Sequence, residues 1–315
     1  MVKLIENLSG KRILISGGAG FLGSHLIEKL KGCEITVIDD FSTTAVNYLP
    51  RNVKIIKEGV ERFTTNEKFD IIIHMAARPS PDDYMEHPVE TMLSNSIGTY
   101  NMLEIARKSD ALFMYTSTSE VYGDSEIIPT PETYWGKVNP IGPRSCYDES
   151  KRFSEALCMS YYREYGLDVR IQRIFNTYGP RLRHDSSYGR VISRFIYQAL
   201  KGEDLTIHGD GMQTRAFLYV DDWIDATLRM LTLKNLAGEV INIGSDKEIT
   251  ILELANKIIN LTRSTSKIKF LPSRPDDPKR RAADISKARK LLNWEPKTSL
   301  DEGLEKTIKW FKENI

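Results

Sequence analysis

Short aliphatic runs alternate with longer stretches of helical period through the first half of the chain. The runs are RILIS (12–16), EITVID (34–39), VKIIK (53–57), FDIIIHMA (69–76), ALFMYTS (111–117) and DVRIQRI (168–174). Runs this continuously apolar belong to strands covered on both faces, and the helical stretches between them make right-handed crossovers. The pattern therefore predicts an α/β fold built on a doubly wound parallel sheet. A helix from about Ser145 to Tyr165 is predicted to end at Gly166, a residue suited to the left-handed C-cap position.

Beyond Asn176 the regularity weakens. The stretch TYGPRLRHDSSYG is a loop by composition, followed by a helix near 190–200 and short strands near 205–208 and 216–219. EVINIG (239–244) is apolar enough to rejoin the main sheet. Helices near 250–262, 284–292 and 300–313 end the chain. The second lobe is thus expected to be discontinuous in sequence.

Composition narrows the function classes. The 44 Lys and Arg balance 43 Asp and Glu, so no bulk field favours a nucleic acid or a membrane surface, and any anion site must be local. Cys33, Cys146 and Cys158 are odd in number and form no CxxC pair, which points to reduced thiols and a cytoplasmic protein. The five histidines are too scattered to suggest a metal. MVKLIENLSGKR lacks the apolar core of a signal peptide, and no run approaches membrane-spanning length.

The chemistry concentrates in three motifs. Directly after the first strand, GGAGFLG sets Gly17, Gly20 and Gly23 at G-x-x-G-x-x-G spacing before a helix starting near Phe21. Such glycines let backbone N–H groups and a helix N-terminus approach a pyrophosphate. Asp39 ends the second strand about twenty residues on, where a carboxylate can bind both hydroxyls of an adenosine ribose and repel a 2′-phosphate. The cofactor expected is NAD, on a Rossmann-type sheet. Tyr147 and Lys151 form a Tyr-x-x-x-Lys pair on one helical face, where an ammonium can lower the phenol's pKa so that it takes a hydroxyl proton. Thr118 and Glu120, in STSEVYG (117–123), place a hydroxyl and a carboxylate at the end of the fifth strand.

This constellation resembles the extended short-chain dehydrogenase/reductases over essentially the whole chain. The resemblance implies that Tyr147 is the base, that Lys151 holds the nicotinamide ribose, and that Thr118 bonds the reacting hydroxyl of a nucleotide sugar. It adds Phe21, Leu22, Asp40, Thr43 and Ala76 to the cofactor site. Substrate contacts are expected from Ser119, Asn176 in RIFNTYGP, Arg190 in GRVI, Arg215 in GMQTRAF and Arg274 in RPDDP, since a diphosphate suits charge-assisted donors in a fixed fork. On this reading residues 1–176, completed by about 215–245, bind NAD, while 177–214 and 246–315 bind the sugar nucleotide. The resemblance also implies a homodimer, formed through apolar faces near 95–108 and 148–164.

STSEVYGD, YWGKVNPIGPRSCYDESKR, IFNTYGPR, QTRAFLYV and DDPKRR together look like the UDP-glucuronate decarboxylases, also called UDP-xylose synthases. That resemblance implies oxidation at C4, loss of CO2 from the keto acid, and return of the hydride to C4. Glu120 would position sugar or water at C5, and Arg281 would handle the carboxylate or reprotonate C5. The chain departs from the pattern at Leu93, where a lysine is usual, at Arg78, where an uncharged residue is usual, and at Gly59, where an acid commonly meets adenine. Arg78 could replace the missing cation and Glu58 the missing acid. A nucleotide-sugar 4-epimerase or 4,6-dehydratase, using Tyr147 and Lys151 alike, is the alternative, and a non-catalytic binding protein of the same fold is a third.

Overall fold

The computed structural model describes residues 2–44, 46–185, 190–274 and 277–315. Part of the predicted loop after Asn176 (186–189) and two residues of RPDDP (275–276) lie outside them. Seven parallel strands form the central sheet: β1 (Arg12–Ser16), β2 (Glu34–Ile38), β3 (Lys54–Ile56), β4 (Ile71–His74), β5 (Leu112–Thr118), β6 (Val169–Ile174) and β7 (Val240–Ile243). Their spatial order is β3-β2-β1-β4-β5-β6-β7. The order reverses between β1 and β4, which opens a crevice at the carboxyl ends of those strands, the usual ligand position in such sheets.

Period-two alternation decides which face each side chain covers. Ile13 and Ile15 join one core with Leu26, Ile27, Trp223 and Met230, whereas Leu14 joins the other with Ile72, Met102, Leu103 and Phe113. Burying one such side chain contributes about 1.5–3 kcal/mol. Two polar side chains inside the sheet are paired. His74 bonds Ser16 at 2.6 Å and Thr99 at 3.0 Å, and Gln172 donates to Thr116 at 3.3 Å.

Every predicted strand of the first half is present, and the EVINIG run rejoins the sheet as β7 beside β6. Helix Ser145–Tyr165 ends on Gly166 at φ 66°, as its sequence demands. One expected strand differs. The stretch near 216–219 divides into Thr214–Ala216, which pairs with Glu248–Thr250 and Arg280–Arg281, and Leu218–Tyr219, which pairs with Thr177–Tyr178. The chain changes partners at Phe217, and periodicity carries no mark of such a switch. Helix Val220–Thr232, which carries Asp221 and Asp222 in its first turn, has no counterpart among the predicted elements.

Candidate active site

A cavity of about 960 Å³ opens at the crevice, and every candidate residue from the sequence lines it. Gly17, at φ 71°, makes its floor. A Cβ there would stand 2.7 Å from Ala76 Cα, so only glycine lets β1 and β4 close behind the loop. Gly20, Phe21, Leu22 and Gly23 bring the N-terminus of helix Phe21–Lys29 to the same wall. At the end of β2 the Asp39 carboxylate accepts from Ala19 N and Phe41 N, each at 2.9 Å, which locks it against the glycine loop. Burial raises its pKa in spite of those two bonds. Asp40, Thr43 and Ala76 complete this end. Glu58 and Glu61 both line the cavity beside Gly59, and a Cβ on Gly59 would fall 2.3 Å from Glu61 Oε1.

At the other end, β5 runs into a 3-10 turn, Ser119–Tyr122, whose cap is the Thr118 hydroxyl accepting from Glu120 N at 3.3 Å. The turn leaves Glu120's carboxylate free to meet arginines. Arg144 donates to its Oε2 at 2.6 Å, and Arg281 donates to Oε1. Burial disfavours the ionised form, but Arg281 and Arg144 outweigh it and hold Glu120 below the usual carboxylate range.

Helix Ser145–Tyr165 supplies Tyr147 and Lys151, both buried. The Tyr147 phenol is hydrogen-bonded to Thr118, and burial pushes its pKa up to about 12. The charge that chiefly opposes this shift is Arg190, not Lys151 as the spacing suggested. Lys151 donates to Thr116 O at 3.0 Å, with Nζ 5.9 Å from the centroid of the Tyr147 ring. Burial pulls its own pKa down to about 7, which thins the charge it can offer.

Asn176 donates to Ala216 O at 3.2 Å, Arg215 to Asp277 at 3.0 Å and Arg274 to Asp82 at 3.0 Å, so these three candidates meet protein partners within the cavity wall. Arg78 also lines the cavity, where it pairs with Asp83 and Glu90 at 2.8 Å each, while Leu93 stays apolar on the cavity's rim. Sequence reasoning missed Arg144, Asp277 and Tyr84. Tyr84 stacks on Tyr147, and its hydroxyl is buried without a partner. The first two lay in plain sight within GPRSCYDE and DDPKRR, with nothing local to mark them. Among the described residues no group of His, Cys, Asp or Glu could hold a metal.

Residues 13–244 match the NAD dependent epimerase/dehydratase family. The chain is 46% identical over 331 aligned positions to UDP-glucuronic acid decarboxylase 1 of Danio rerio, covering 100% of this chain and 76% of that one. It is 48% identical over 300 positions to UDP-glucuronic acid decarboxylase 3 of Arabidopsis thaliana, covering 93% and 86%. Among solved structures it superposes on the UDP-glucose 4-epimerase of Thermotoga maritima with UDP-glucose at TM-score 0.89 and 32% identity, covering 96% of this chain and 99% of that one. It also superposes on the UDP-glucuronic acid 4-epimerase of Bacillus cereus, in complex with UDP-glucuronic acid and NAD, at TM-score 0.85 and 32% identity, covering 96% and 100%. The matched family model covers most of the chain and the named relatives align over nearly all of it, so the chain belongs to the NAD dependent epimerase/dehydratase family.

Proposed function

We propose that the chain decarboxylates UDP-glucuronate to UDP-xylose through a 4-keto intermediate, with NAD regenerated inside each turnover. The observation that carries this reading is Glu120: a carboxylate gripped by two arginines beside Thr118 and Tyr147, in the cavity that also contains the glycine loop. Chemistry confined to C4 has no use for such a group. The identity to named UDP-glucuronic acid decarboxylases supports the same substrate.

The residues fit NAD. Gly17 leaves room only for backbone, Asp39 stands where an adenosine ribose would lie, and Lys151 faces the nicotinamide end. Bound NAD accepts a hydride from C4, returns it at the end, and adds positive charge near the phenol. In this proposal Tyr147, oriented by Thr118, takes the O4 proton as the hydride leaves. Arg281 grips the sugar's carboxylate. The bond from C5 to that carboxylate then breaks, its electron pair moving into the C4 carbonyl as an enolate while CO2 departs. Water held by Glu120 protonates C5, and Tyr147 gives its proton back to O4. One proton is consumed for each CO2 released. Ser119, Asn176, Arg190, Arg215 and Arg274 are assigned to the sugar nucleotide, with residues 177–214 and 246–315 as its lobe and 1–176 with 215–245 as the NAD lobe.

A 4-epimerase is the second reading, favoured by Leu93 in place of a cation and by the epimerases of the same fold. Incubation with UDP-glucuronate and NAD, followed by mass spectrometry, separates the two. Loss of CO2 with a UDP-pentose product is expected, and it should vanish in Tyr147→Phe. An unchanged mass with inverted stereochemistry would make the protein an epimerase.

The homodimer belongs to the same proposal. Met102, Leu103, Ile105 and Ala106 turn inward on the sheet, but Val89, Met92, Ile97 and Tyr100 on helix Pro88–Ser109, with Phe153 and Tyr165 on helix Ser145–Tyr165, are exposed. Pairing two such helix pairs would cover them, and light scattering after gel filtration tests this. Among the described residues no helix is long and apolar enough to cross a membrane, and all three cysteines are free thiols. The free thiols support the cytoplasmic reading.

A further inference from the structure

Glu120 has two cationic partners, and the proposed chemistry asks one of them to leave. Arg281 is the candidate for the substrate's carboxylate, and its Nη2 is buried without a hydrogen-bond partner, so part of its guanidinium is already unspent. Once Arg281 turns to the sugar, Glu120 keeps a single cation in hydrogen-bond contact, Arg144. We propose that Arg144 is a positioning residue for Glu120, the cation that stays on this carboxylate through the turnover and fixes which face of C5 its water meets. The inference rests on the decarboxylase reading above.

Three observations support the assignment. Arg144 immediately precedes helix Ser145–Tyr165, so its backbone moves with Tyr147, three residues on. Its side chain is only 8% exposed and is held at both ends, by Glu120 Oε2 at 2.6 Å and by Asp277 Oδ1 at 3.4 Å. Asp277 in turn accepts from Arg215 at 3.0 Å. A guanidinium pinned between two carboxylates keeps its fork oriented when a neighbouring cation swings away. Position and charge also agree with the role. The groups that act on Glu120 are the cations of Arg281, Arg144 and Arg215, and the groups that feel its charge are Tyr84, Tyr147 and Asp148. Burial, with the charge of Glu120 next, raises Asp148, so Glu120 remains the ionised acid of the pair and serves as an acceptor that orients water.

The test uses Arg144→Gln and Arg144→Lys in the full chain, with bound NAD content and UDP affinity measured alongside. Turnover of UDP-glucuronate in D2O leaves one deuterium on C5 of the UDP-pentose, and proton NMR tells which of the two C5 positions holds it. The unmutated protein should label one position. Arg144→Gln is expected to label both and to lower kcat on the order of tenfold to a hundredfold. It should also move the acid limb of kcat upward by about one pH unit, since Glu120 would lose a cation. Arg144→Lys, which keeps the charge without the fork, should leave the limb in place and scramble the label only in part. Single-position labelling and an unmoved limb in Arg144→Gln would overturn the inference, whatever its effect on melting. If the unmutated protein forms no UDP-pentose, the decarboxylase reading fails first, and Arg144 is not the cause.

Discussion

The ring of Tyr84 lies flat on that of Tyr147, with centroids 5.0 Å apart and planes 3° from parallel. Tyr84 sits in helix Pro81–Glu86 and reaches across to the helix that carries Tyr147, so the stack sets the plane in which the phenol points. Tyr84→Phe preserves the ring and should retain most activity. Tyr84→Ala removes a contact worth about 0.5–1.5 kcal/mol beyond area burial and is expected to lower kcat about tenfold, with little change in KM. Steady-state kinetics of both variants check this, and a Tyr84→Ala enzyme as fast as the parent would show that the stack does not orient Tyr147.

Lys151 gives a pH dependence with a definite sign. Its folded pKa is lowered by burial to about 7 from an ordinary 10.5, so the unfolded chain binds the extra proton between those values. Stability of the cofactor-free protein should then rise with pH across that window as the penalty for a buried ammonium is relieved. Lys151→Met carries no such penalty. It should melt above the parent at pH 7, converge with it near pH 10, and be inactive. Thermal melts of the two proteins at several pH values decide the matter.

Asp39 accepts two backbone N–H groups and is the residue proposed above for the adenosine ribose. Asp39→Asn keeps the shape but removes the charge and offers an N–H where an acceptor is needed. Affinity for NAD should fall about tenfold, and the discrimination against NADP should shrink with it. Titration of cofactor-free protein with each dinucleotide gives the ratio.

Leu93 is 42% exposed on helix Pro88–Ser109 and lines the cavity. Leu93→Lys restores the cation that the decarboxylase pattern leads one to expect. On an exposed helical face it should alter stability by no more than about 0.5 kcal/mol. The KM for UDP-glucuronate should drop severalfold, while that for an uncharged UDP-hexose, if it binds, should not move. Equal changes for both substrates would place Leu93 away from the sugar's carboxylate.

What the sequence determined by itself is what short covalent distance determines. Runs such as RILIS specify strands because consecutive aliphatic residues suit both covered faces of a sheet, and Gly166 ends its helix because it adopts a positive φ without strain. The glycine loop, Asp39 and the Tyr147–Lys151 spacing are likewise local, so the residues proposed for NAD could be named before the fold was known. The surroundings of Glu120 were decided only by tertiary structure. Arg281 lies 161 residues from Glu120, and Asp277 lies 133 residues from Arg144, yet the sheet order brings them to one crevice. The same closure paired Arg78 with Asp83 and Glu90 and brought the charge of Arg190 to bear on Tyr147. A side chain's charge is written in the sequence, but the partner that uses it is chosen by which strand ends meet, and that depends on contacts the local pattern does not encode.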